Sequence, residues 1–202
     1  MKKNSFVLLA VALAFQVAIN TSSIAGNLGN LDFTFAGGLP APPSGTLTIS
    51  SFSSDGTLGV PQLTGDASGS LATSVAINNT PGFNDNYTPF TFGNVLDFTF
   101  AFSGNAVDFP DGVSGASTFA FSMLDNNNPP HPLLMRDNPG GFAFTVDLNN
   151  DASTTVSNFM TSGTVKPASS PVPEPIMAGP LALCLGAIKM LQSRRAIRST
   201  RT

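Results

Sequence analysis

Few residues of this 202-residue chain are equipped for chemistry. It has one His, one Cys and no Trp, and its single Glu, Glu174, lies near the C-terminus. Residues 26–170 hold 11 Asp, no Glu and no Cys, and His131 is the only imidazole. A hydrolytic triad passes its proton through an imidazole and would have to be built on that one residue. His131 stands in Pro129-Pro130-His131-Pro132, where each proline biases its predecessor toward extended backbone, and no Gly-x-Ser-x-Gly elbow occurs in the chain. The segment reads as a loop, with the His held by a local hydrogen bond. Two Asp carboxylates can hydrolyse a glycoside, but no spacing here singles out a pair.

One stretch has the oxygen spacing of a cation loop. Asp147, Asn149, Asp151 and Ser153 occupy positions 1, 3, 5 and 7 of a calcium-loop pattern. Ala152 stands where such a loop needs Gly, and Asn158 where it needs a bidentate Glu. An Asx-rich hairpin turn is the better reading, with calcium on Asp147, Asn149 and Asp151 as the weaker alternative. Sugar rings stack on exposed Trp or Tyr, and the only such residue is Tyr87, which reads as a partly buried loop aromatic. No cofactor is expected. A single Cys, Cys184, excludes an intramolecular disulfide framework and a cysteine zinc site.

The elements carrying these residues read as strands. Apolar residues alternate with small polar ones at 31–36 (LDFTFA), 45–52, 69–77, 90–92, 95–102, 118–124, 141–148, 154–159 and 163–166. Period 2 puts Phe98, Phe100 and Phe102 on one face, as it does Phe119 with Phe121 and Phe142 with Phe144 and Val146. Asp55-Gly56, Pro110-Asp111-Gly112, Asn138-Pro139-Gly140-Gly141 and 149–152 supply turns between them. LDFTFA recurs at 96–101, which suggests two equivalent strands. No sustained 3.6-residue period occurs. The expected fold is all-β: a single antiparallel β-sandwich or jelly-roll-like domain over 26–165, its core filled by Phe.

Charge is segregated along the chain. Residues 26–170 carry Arg136 and Lys166 against 11 Asp, a net −9, whereas residues 189–202 carry +5. An acidic body excludes a nucleic-acid-binding surface. Lys2 and Lys3 precede an apolar run at 6–18 (FVLLAVALAFQVA), and Ser23 and Ala25 offer small residues at the −3 and −1 positions of a signal-peptidase cut. Residues 1–25 therefore read as a Sec signal peptide, with Gly26 the new N-terminus. At the other end, 166–171 reads as a linker. Val172, Pro173, Glu174 and Pro175 follow it, then an apolar run at 176–188 and a basic end containing Lys189, Arg194, Arg195 and Arg198. Cations beside an apolar segment stay on the cytoplasmic side of a membrane.

That order of motif, apolar segment and basic cluster over 172–202 resembles the PEP-CTERM sorting signal of exported bacterial proteins. The resemblance implies a Gram-negative source and recognition of the Pro-Glu-Pro by an exosortase, a membrane enzyme that removes the tail. It also implies a setting of exopolysaccharide and biofilm matrix. Two features depart from the pattern: Pro180 interrupts the segment, and Lys189 leaves 13 uninterrupted apolar residues. Even 16 helical residues reach only about 24 Å against a hydrocarbon core of about 30 Å, so Lys189 would snorkel to the headgroups. The stretches at 83–93, 117–125 and 144–159 resemble the Phe-rich β domains found upstream of this signal, which bring no activity with them.

These readings point to a non-catalytic exported protein. It would be held transiently at the inner membrane by its tail, then reside at the cell surface or outside the cell. Its expected partners are signal peptidase, an exosortase and exopolysaccharide. The alternative is a carbohydrate-binding module of the same matrix.

Overall fold

The computed structural model describes residues 13–168, so the motif at Val172–Pro175, Cys184 and the basic residues from Lys189 onward lie outside the described residues. Thirteen strands form among them: β1 (Leu13–Asn20), β2 (Leu28–Gly37), β3 (Thr46–Ser54), β4 (Thr57–Leu58), β5 (Gln62–Thr64), β6 (Ala67–Ser70) and β7 (Ser74–Asn78). They continue with β8 (Asp85–Thr91), β9 (Val95–Ser103), β10 (Ser117–Asp125), β11 (Phe144–Leu148), β12 (Thr154–Asn158) and β13 (Gly163–Pro167). One four-residue helix, α1 (Asn105–Asp108), follows β9. The described residues are thus mostly β-sheet, as the alternation predicts.

The strands make two antiparallel sheets. One has six strands in the order β13-β1-β9-β3-β7-β6; the other has seven, in the order β12-β11-β10-β2-β8-β4, with β5 also paired to β8. Their inner faces meet through phenylalanine rings. Phe33 on β2 meets Phe98 on β9 at 5.3 Å between ring centres, and Phe100 on β9 meets Phe119 on β10 at 4.8 Å. Edge-on and tilted contacts of this kind favour aromatic quadrupoles and add to burial. Phe98, Phe100, Phe102, Phe119, Phe121 and Phe144 are all buried. The two LDFTFA copies prove to be one strand from each sheet, β2 and β9, with Leu and both Phe turned inward and Asp and Thr outward.

Several boundaries differ from the sequence reading. The segment at 69–77 is two strands, because the chain reverses at Leu71–Thr73, where the Thr73 N–H donates to the Ser70 carbonyl at 3.0 Å, and Gly69, at φ +91° inside β6, lets that strand pass close to Ser74. Phe142 precedes β11 in the loop anchored by Asn138, whose Oδ1 accepts from the Phe142 N–H at 3.2 Å. Tyr87 belongs to a strand, β8, and not to a loop. Short β4 and β5 pair with β8 although no apolar stripe marks them.

The largest difference is at the start. Leu13–Asn20, read from sequence as part of the leader, is a strand between β9 and β13, with Phe15, Val17 and Ile19 buried and Phe15 stacked on Phe100 at 4.9 Å. Ser23 and Ala25 are exposed around a 3-10 turn, Ser22–Ile24, and the Gly26 N–H donates to the Phe92 carbonyl at 2.7 Å. At the other end β13 extends to Pro167, so the strand takes in the first two residues of the segment read as a linker.

Candidate functional site

The acidic residues fall into two kinds. Most finish turns. Asp55 accepts the backbone N–H of Asn94 at 2.7 Å, its side-chain amide at 2.7 Å and the Val95 N–H at 3.1 Å. Asp111 accepts from the Val113 and Ser114 N–H groups in the turn that Pro110-Asp111-Gly112 predicts. Hydrogen bonds to the ionised form hold both carboxyls below the usual range: for Asp55 chiefly the Asn94 amide, for Asp111 chiefly the Ser114 hydroxyl. They are exposed and structural.

The Asp-rich hairpin behaves the same way. Asp147 on β11 accepts the Thr118 hydroxyl at 2.6 Å, and Asn149 donates to the Ser153 and Thr155 hydroxyls. Asp151 accepts both the N–H and the hydroxyl of Ser153, and the hydroxyl chiefly pulls its carboxyl below the usual range. Asn149 and Asp151 bond within the β11–β12 hairpin, in keeping with an Asx turn, whereas Asp147 bonds away from it to Thr118 of β10.

His131 is an exposed loop residue. Its N–H donates to Asp125 Oδ1 at 2.8 Å and its Nδ1 lies 3.2 Å from Asp125 Oδ2, the one ion pair among the described residues. The His131 N–H is also the main reason that the Asp125 carboxyl sits below its usual range. Among the described residues the ring touches no serine or threonine hydroxyl, so the parts of a triad are not assembled around it.

Asp32 and Asp85 are different. Asp32 stands mid-strand in β2, opposite Tyr87 of β8 on one side and Ser122 of β10 on the other. Asp85 opens β8, opposite Thr34 of β2 and Thr64 of β5. Residues opposite one another across strands share a face, so Asp32, Thr34, Asp85, Tyr87 and Thr64 stand together on the outer face of the seven-stranded sheet. Thr34 donates to Asp32 Oδ1 at 3.2 Å. Burial chiefly, and then the charge of Asp85, push the Asp32 carboxyl up to about 6. Burial and Asp32 raise the Tyr87 phenol in turn.

The start of β8 is fixed by its neighbour Asn84. Its buried side chain accepts the Asp66 N–H at 2.8 Å and donates to the Thr80 carbonyl at 2.9 Å, which ties the β5–β6 turn over β8. Gly65, at φ +63°, makes this possible, since a Cβ there would lie 2.3 Å from Asn84 Oδ1. Asp85 is left 6% exposed, with its Oδ1 buried and without a hydrogen-bond partner. Sequence reasoning missed this pair. Its one local signal, an Asp in a strand whose neighbours are Leu and Phe, is carried equally by exposed Asp97 in the second LDFTFA copy.

No family model, curated protein or solved structure matches the chain.

Proposed function

We propose that this chain is a non-catalytic exported protein of the cell surface or extracellular matrix. In this reading it is sorted through Pro173-Glu174-Pro175 and associates with exopolysaccharide. The observation that carries the reading is the order at the C-terminus: Val172-Pro173-Glu174-Pro175, an apolar run, then Lys189, Arg194, Arg195 and Arg198. The cationic and apolar N-terminus and the net −9 of residues 26–170 support it, since both ends then face a membrane that the acidic body leaves. We read the two sheets as a sandwich of jelly-roll type, a display scaffold whose core is given over to Phe rings.

Glu174 gives the test. It is the only carboxylate after Asp151, and its flanking prolines hold the backbone extended and remove amide donors that would compete for it. An enzyme groove can then supply the donors. Glu174→Ala should block removal of the tail and leave the precursor in the membrane fraction of a host with its own exosortase. Deletion of 176–191 should release the protein unprocessed. Normal tail removal from Glu174→Ala would reduce the segment to a generic anchor and overturn the sorting reading.

A further inference from the structure

We propose that Asp32 and Asp85, with the hydroxyls of Thr34 and Thr64, form a binding site for a calcium-class divalent cation on the outer face of the seven-stranded sheet. This site is separate from the Asp147–Asp151 hairpin and does not depend on the sorting reading. It starts from an unbalanced group. Asp85 is 6% exposed, and its buried Oδ1 has no donor among the described residues. A buried carboxylate is strongly disfavoured unless a charge or donors compensate it. Every other turn or edge Asp described above has such donors.

The neighbourhood makes the imbalance worse. Asp32 is a second carboxylate on the same face, diagonal to Asp85 across β2 and β8, and the charge of Asp85 acts on it. Among the described residues no cationic side chain neutralises the pair: Arg136 lies in the exposed loop after β10, and Lys166 is on β13 of the other sheet. Residues 26–170 hold 11 Asp against those two cations, so that part of the chain is far from neutral by itself. A bound cation does what the sequence does not.

The donor set selects the kind of cation. Asp32, Thr34, Asp85 and Thr64 offer only oxygen, with no imidazole or thiolate on that face, which suits a hard ion and not zinc or copper. Calcium takes six to eight oxygens in flexible geometry, whereas magnesium demands near-ideal octahedral ligands and keeps its waters. Carboxylates fixed diagonally on neighbouring strands have Cα atoms about 7–8 Å apart, a span that suits the longer calcium bonds. The strands are tied on both sides, β2 by β10 and β8, so the ligands are held before the ion arrives.

Calcium chloride is the probe, added to the purified full chain after dialysis against a chelator. At a hundred times the dissociation constant, calcium should raise the Tm by about 5–10 °C. Equilibrium dialysis should show one ion lost on substitution of the pair. Asp85→Asn and Asp32→Asn should each weaken calcium binding at least about tenfold, while Asp151→Asn in the hairpin should leave it unchanged. Dialysis reads binding directly, so a change in the stability of a variant does not blur the result. The proposal is overturned by an unchanged Tm and no bound calcium in the native chain. Binding that survives Asp85→Asn but disappears in Asp151→Asn, or an equal response to magnesium, also overturns it.

Discussion

Without a cation, Asp32 should make the protein less stable at neutral pH than at pH 4, the opposite of ordinary acid denaturation. In the folded chain its carboxyl is raised from 3.8 to about 6, chiefly by burial and then by Asp85. A raised acid binds more protons folded than unfolded between those two values. Stability therefore falls as pH rises through that window. At 1.36 kcal/mol per pH unit, the penalty at pH 7 is about 3 kcal/mol, a sizeable part of a domain's typical stability of about 5–15 kcal/mol. Asp32→Asn keeps the shape and removes the charge, so it should stabilise the calcium-free protein at pH 7 by up to about 3 kcal/mol. The gain should shrink to well under about 1 kcal/mol near pH 4, where the folded carboxyl is protonated and the unfolded one is about half ionised. Asp55, Asp111, Asp125 and Asp151 are all shifted down, so their contributions are lost only below the window, as pH falls through their lowered values. Urea unfolding followed by circular dichroism, in chelator from pH 4 to 7, measures both quantities. A neutral or destabilising Asp32→Asn at pH 7, or native stability that is flat across the window, would refute the reasoning.

Other outcomes test other parts of the structure. Phe100→Ala should destabilise by about 3–5 kcal/mol, because the ring is 1% exposed and meets Phe15, Phe119 and Phe144 at 4.9, 4.8 and 5.8 Å. A denaturation shift below about 1 kcal/mol would contradict that packing. N-terminal sequencing of exported protein should find Gly26 first, and a chain that still carries Met1 would end the leader reading. In a polysaccharide pull-down, the exported protein should be retained by matrix from its own host, and loss of all retention would remove the exopolysaccharide association.

The inner faces were legible because they obey one local rule. Strands such as β2, β9 and β10 alternate Phe with Thr, Ser or Ala, and the alternation alone tells which side is buried. The turns at Asp55-Gly56 and Pro110-Asp111-Gly112 were legible for the same reason, since each acts on its own neighbours. Tertiary placement was not. Asp32 and Asp97 lie in identical hexapeptides, yet β8 presses Asp85 and Tyr87 against one, while the other stands exposed on the six-stranded sheet. Asp85 is buried because Asn84 and Gly65 draw the β5–β6 turn over it, a contact between segments that no local pattern announces. The edge strands β4 and β5 escaped notice because they bury little and owe their conformation to β8.

On the leader reading, the N-terminal run answers to two sets of demands at once. A leader asks for apolar residues in no particular phase. Residues 13–20 have a phase: Phe15, Val17 and Ile19 face the core, and Gln16, Ala18 and Asn20 face out. Their register runs unbroken against β9 from Leu13↔Phe102 to Asn20↔Val95. At about 1.5–3 kcal/mol for each buried side chain, Phe15, Val17 and Ile19 contribute about 5–9 kcal/mol, comparable to a whole domain's net stability. Thr21 then closes the strand with a buried hydroxyl bond to the Gly93 carbonyl at 2.7 Å. A cut after Ala25 removes all of this and separates β9 from β13, which touch only through β1. The backbone edge of β9 would lie open beside the Phe98, Phe100 and Phe102 stripe, an arrangement that invites a replacement strand. Residues 13–168 should therefore unfold at distinctly higher denaturant than residues 26–168, and equal midpoints would mean that β1 adds nothing to the sheet.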